Sequence, residues 1–121
     1  MDSFSYGARL NSFKLGLKDG DEDASRHMTL RLLARAATAG LTQMDLNFPD
    51  HFNGLPIDEL KRFVSDNPVK INGLAMRYYT APEFKLGAFT HPDAGIRALA
   101  VEETKRGLDA AAELDCSLMT L

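Results

Sequence analysis

The apolar residues of this chain change their repeat from about two to about 3.6 and back several times, and that alternation restricts the fold more than any other feature. Residues 4–13, FSYGARLNSF, read as a strand. A helix is expected over residues 24–39, with Leu30, Leu33, Ala34 and Ala37 on one face and Gly40 as its stop. A second strand follows over residues 42–47. Pro56 and the carboxylates Asp58 and Glu59 mark a second helix start. Its buried stripe is Leu60, Phe63 and Val64, and Asn67-Pro68 ends it. A third strand is expected over 69–79. A long helix follows from Asp93, with Ile96, Leu99, Ala100, Thr104, Gly107, Leu108, Ala111 and Leu114 on one face. A fourth strand covers 116–121. Strict alternation of this kind means an α/β protein with a parallel sheet.

The links between these elements are unequal. Helix-to-strand links are minimal, at Gly40, Asn67-Pro68 and Asp115. Strand-to-helix links are long and polar, over about 14–23, 48–55 and 80–92. Working groups in α/β proteins lie beyond the carboxyl ends of the strands, so the long links are where chemistry is expected. Gly16 and Gly20 fit neither a dinucleotide-binding nor a P-loop glycine pattern. The expected class is therefore a (β/α) TIM-barrel type, here partial, with about four parallel strands and three helices of an eight-fold barrel. A complete barrel takes roughly 250 residues. Residues 1–121 are accordingly expected to be the N-terminal half of one barrel domain, with both sheet edges open to association.

Composition narrows the partners. Fourteen basic against seventeen acidic side chains give a net charge of -3, which speaks against nucleic acid as the main partner. No apolar run approaches the roughly 18–20 residues of a spanning helix, so no membrane partner is expected. The polar start Met1-Asp2-Ser3 does not read as a secretory leader, and the single Cys116 allows no internal disulfide. A cytoplasmic location is expected. Cys116 itself reads as a small buried strand residue.

One stretch goes beyond pattern. Pro82, Phe84, Lys85, Gly87, Ala88, Phe89, Thr90 and Asp93 keep a loop of the form T-x-P-x-F-K-x-G-A-F-T-x-x-D after the third strand. Arg97, Asp109, Ala112, Glu113 and Leu114 follow at matching spacing on the helix, with Asp115 where Gly is usual. On these residues, 69–121 resemble the xylose isomerase-like TIM-barrel superfamily. The likeness extends more weakly to 28–50, where Ala36, Ala39, Gly40 and Leu41 precede the second strand. The resemblance implies the N-terminal portion of a metal-dependent sugar isomerase or epimerase that interconverts aldose and ketose forms. It also implies a small-molecule sugar substrate and a homo-oligomer. A divalent metal (Mn, Mg or Co) is implied only in a longer protein, because the family's ligands sit on strands five to eight. No metal ligand is assigned within these residues, and the 121-residue chain alone is expected to be inactive.

Carried over by position, the family's His and Asp at the end of the second strand correspond to Asn47 and Asp50, with His51 next door. Asn can hydrogen-bond a hydroxyl but does not exchange a proton near neutral pH. Asp50 and His51 are the catalytic candidates. The substrate-binding candidates are Asn11, Asn47, Arg77, Tyr79 and Phe84. Arg77 suits a phosphate or carboxylate held by two parallel hydrogen bonds. Tyr79 takes the family's pocket aromatic, and Ala75 replaces a pocket Thr. Continuing the strand through Tyr78 and Tyr79 would point them to opposite faces. Phe84 and Phe89 also read as a loop packing itself down. His91 reads as a helix-entry residue and His27 as a solvated first-turn residue. Two other functions compete: a non-catalytic half-barrel that needs another chain, and a metal-dependent endonuclease of the same superfamily. Asn47 and the run Arg77-Tyr78-Tyr79 suit the endonuclease poorly, since it requires His ligands there.

Overall fold

The structure, a computed structural model, describes residues 3–17 and 26–121. Strands β1 (Gly7–Arg9), β2 (Gln43–Phe48), β3 (Lys70–Met76) and β4 (Leu118–Thr120) form one parallel sheet in the order β1-β2-β3-β4. Helices α1 (Met28–Thr38), α2 (Ile57–Asp66) and α3 (Ala94–Glu113) connect them. The alternation expected from the sequence is present, and the class is α/β.

Strand alternation divides the side chains between two environments. Met44, Leu46, Ile71 and Leu74 point to one side and are buried there with Leu30, Leu33 and Ala36 of α1, Leu60 of α2 and Ala111 of α3. All three helices therefore contribute to a single core on that side. Parallel crossovers between adjacent strands are right-handed, which sends successive helices to the same face when the strand order is sequential. On the other side Arg9, Asp45, Gly73, Ala75, Leu118 and Thr120 border an open cleft of about 250 Å³. No helix among the described residues is long and apolar enough to cross a membrane.

Several boundaries differ from the sequence reading. The first strand is only Gly7–Arg9, and Leu10–Phe13 turn into a 3-10 helix. Leu10 is driven fully into the core, while Asn11 and Ser12 have short polar side chains that favour such turns. The expected start of the first helix at residue 24 lies outside the described residues, and its described part begins at Met28. The third strand stops at Met76, so Tyr78 and Tyr79 belong to a 3-10 turn, not to strand alternation. On α3 the buried residues are Ala100, Glu103, Gly107 and Ala111, whereas Leu99 and Leu108 lie on exposed flanks. Gly107 sits on the sheet side because a Cβ there would lie 2.6 Å from the Met76 sulfur. Cys116 precedes β4 and is only partly buried.

Two helices end in the same hydrogen-bond motif with different chemistry. After α1, Leu41 N–H donates to Ala36 O and Gly40 N–H to Ala37 O, with Gly40 at φ 86°. After α3, Cys116 N–H donates to Ala111 O and Asp115 N–H to Ala112 O, with Asp115 at φ 53°. The left-handed residue at this position is usually Gly, because a Cβ crowds the following carbonyl. Asp tolerates it better than most residues but not freely. Asp115→Gly should raise stability by about 0.5–1 kcal/mol, and Gly40→Ala should lower it by about 1–2 kcal/mol. Urea denaturation of the two variants checks both signs.

Candidate functional site

The polar side chains expected at the site sit where the chain leaves the carboxyl ends of β1, β2 and β3. Asn11 is on the 3-10 turn after β1, Asn47 is the penultimate residue of β2, and Asp50 and His51 open a second 3-10 turn, Asp50–Phe52. The Phe48–Pro49 peptide that leads into this turn is cis. Phe52 returns to pack against Phe48 with ring centroids 5.2 Å apart, which fixes the turn on the core.

His51 ties the first two exits together. The Asn47 backbone N–H donates to His51 Nδ1 at 2.7 Å, and His51 Nε2 lies 2.9 Å from Asn11 Oδ1. A backbone N–H can only donate, so Nδ1 is the accepting nitrogen and the ring proton is on Nε2, where it donates to Asn11. The neutral ring is therefore fully engaged. Burial pushes the His51 pKa down; the negative charge of Asp50 raises it, and Lys14 and His27 lower it further. In this arrangement His51 is a neutral strut and not a free base.

The same turn is held from α1. Thr29 Oγ1 donates to the His51 carbonyl at 2.5 Å, and His27 Nε2 lies 2.7 Å from the Asn53 carbonyl. His27 is not a solvated first-turn residue: its Nδ1 accepts from the Thr29 N–H at 3.1 Å and caps α1. A cavity of about 410 Å³ lies here, lined by Asn11, Lys14, His27, Thr29, Asp50 and His51.

Asp50 also reaches the third exit. The Thr80 hydroxyl lies 3.2 Å from Asp50 Oδ1 and 2.8 Å from the Arg77 carbonyl. The Arg77 N–H continues the ladder past β3 by donating to Phe48 O at 2.9 Å. Its guanidinium donates through Nη1 to the Tyr79 hydroxyl and lies over the Tyr79 ring, 5.4 Å from the centroid. Arg77 Nε is the one buried side-chain polar atom among the described residues without a partner. Tyr79 itself is 69% exposed. Tyr78 turns toward α3, where its hydroxyl meets Thr104 Oγ1 at 2.5 Å and its ring meets Phe84 and Phe89 edge-on.

Asn11, Asp50 and His51 thus share one cavity, while Arg77 and Phe84 line another of about 480 Å³ with Pro49, Thr80, Leu99 and Glu103. Glu103, buried in α3, pairs with Arg106 at the edge of that second cavity. Tyr79 lies outside the lining of both. His91 occupies the helix entry as expected, its Nδ1 accepting from Asp93 N–H while Asp93 caps α3. Sequence reasoning missed His27, Thr29 and Thr80. Only Thr80 carried a local signal, as the first residue of the loop motif. No protein-family model matches the chain.

Removing the His51 ring leaves the Asn47 N–H without its acceptor in a nearly buried position. His51→Ala should cost about 1–3 kcal/mol of folding stability. Thr80→Val removes two exposed contacts, to Asp50 Oδ1 at 3.2 Å and to the Arg77 carbonyl at 2.8 Å, and should cost no more than about 0.5 kcal/mol. Paired urea denaturation curves at neutral pH test the contrast.

Proposed function

We propose that this chain forms the first half of a (β/α)8 barrel of xylose isomerase-like type and supplies the substrate-contacting rim of a sugar isomerase or epimerase. The observation that carries this reading is the gathering of Asn11, Asn47, Asp50, His51 and Arg77 at the carboxyl ends of three adjacent parallel strands in sequential order. Sequential order with one shared core favours a singly wound, barrel-forming sheet over a doubly wound one, whose order reverses. The loop motif from Thr80 to Asp93 adds the sugar-isomerase reading by resemblance.

In this reading Asp50 accepts a hydrogen bond from a sugar hydroxyl, and Arg77 holds an anionic substituent of the substrate. His51 holds the Asp50 turn in place, since a proton shuttle there would first have to break two hydrogen bonds. Among the described residues no three His, Cys, Asp or Glu side chains assemble as a metal cluster. No step through a metal is assigned to them. The reading assigns that metal to later strands of a longer protein.

The test is an assay of the full-length protein with Mn²⁺, Mg²⁺ or Co²⁺ against neutral, phosphorylated and acidic aldoses and ketoses, with products identified by NMR. Interconversion of one pair is expected. Arg77→Ala should raise KM for an anionic sugar about tenfold or more, and Asp50→Asn should lower kcat/KM by about the same factor. Absence of both turnover and metal binding overturns the reading. A second reading is a half-barrel completed by another chain, and the observation in its favour is that β1 and β4 are both edge strands. Sedimentation of the 121-residue chain separates the two: a well-folded monomer at low concentration contradicts assembly.

A further inference from the structure

The turn that carries Asp50 is fastened by two histidines with the same hydrogen-bonding logic. His51 Nδ1 accepts from the Asn47 N–H and its Nε2 faces Asn11 Oδ1. His27 Nδ1 accepts from the Thr29 N–H and its Nε2 faces the Asn53 carbonyl. In each case a backbone N–H donor fixes Nδ1 as the acceptor, and Nε2–H then donates to an oxygen. The two rings grip opposite ends of the segment 50–53, one from the β1 exit and one from the start of α1. Thr29 Oγ1 closes the middle by donating to His51 O at 2.5 Å.

We infer that His27 and His51 form a paired clasp that holds the Asp50 turn against α1, and that protonation of the His51 ring releases its half of the clasp. Protonation places a second N–H on the His51 ring at Nδ1. That hydrogen then points at the Asn47 N–H donor, so an attractive contact becomes a donor facing a donor. The charged ring also meets the like charge of Lys14, which lines the same cavity, and among the described charged groups facing His51 only Asp50 opposes this. The lowered pKa of His51 agrees with a ring that the fold prefers neutral. The sign follows from linkage: the stability His51 contributes is complete above its unfolded value of 6.5 and is lost as pH falls from there through the lower folded value. Release opens the cavity of about 410 Å³ and frees the Asp50 carboxylate from its fixed position. The clasp stands on hydrogen-bond geometry and does not depend on the substrate of the neighbouring site.

The experiment is an NMR titration of the ¹⁵N-labelled chain from about pH 8 to about pH 5, the range in which imidazoles change charge. At the upper end both rings should show the Nε2–H form. On acidification the exchange protection of the Asn47 amide, corrected for intrinsic rates, should fall about tenfold or more in step with protonation of the His51 ring. The double variant His27→Asn, His51→Asn supplies a side-chain oxygen in place of each Nδ1 and cannot titrate, so its amide protection should not respond to pH. Four results overturn the clasp: Nδ1–H rings at the upper pH, a His51 ring that stays neutral throughout, Asn47 amide protection that survives its protonation, or the same pH response in the double variant. If the double variant does not fold, the titration of the unaltered chain decides alone.

Discussion

The structure depends on burying one face of a short parallel sheet. Met44, Leu46 and Leu74 are almost fully withdrawn from water, and they meet Leu33, Ala36 and Leu60 from two of the helices that flank the sheet. Apolar burial is worth roughly 25 cal/mol per Å², and this cluster draws on all three helices and the sheet. Because side chains alternate along a strand, burying these residues commits Asp45 and Asn47 to the opposite side and sends the chain out of the sheet at a defined end. Loop polarity then has only one place to collect.

That collection is organised by hydrogen bonds and not by charge. His51 joins the β1 and β2 exits, Thr80 joins the β2 and β3 exits through Asp50, and His27 with Thr29 ties the middle turn to α1. Apart from the Thr80–Asp50 contact, each bond engages a backbone group or a side-chain amide near the end of an element, where unpaired backbone groups are most numerous. The exits therefore form one connected layer, although Asp50 and Arg77 line different cavities.

Much of the architecture was legible locally. The second helix lies where Pro56, the paired carboxylates and Asn67-Pro68 bracket it, and the second strand is displaced by one residue. The resemblance implies Gly at the position of Asp115, and Asp115 occupies a left-handed turn that Gly would suit. The errors fall at strand ends. Leu10 looks like a continuing strand residue, yet its burial requires the chain to turn immediately after it. Tyr78 and Tyr79 look like strand residues for their aromatic rings, but the ladder ends at Met76 and Tyr78 is recruited by Thr104 of α3. On α3 the expected apolar stripe was too wide, because only a narrow line around Gly107 and Ala111 touches the sheet.

The candidate site was legible as a list but not as an arrangement. Asn47, Asp50 and His51 are neighbours in sequence, so their shared location follows from chain connectivity alone. Their partners do not: Asn11 is 40 positions from His51, and Asn53 is 26 positions from His27. Sequence by itself determined the α/β class, the polar exits and the residue types available for hydrogen bonding, because these depend on local periodicity and composition. Tertiary structure decided which turn His27 and His51 hold, because Asn53 O and Asn11 Oδ1, the oxygens facing their Nε2 atoms, come within 3 Å of them only on folding.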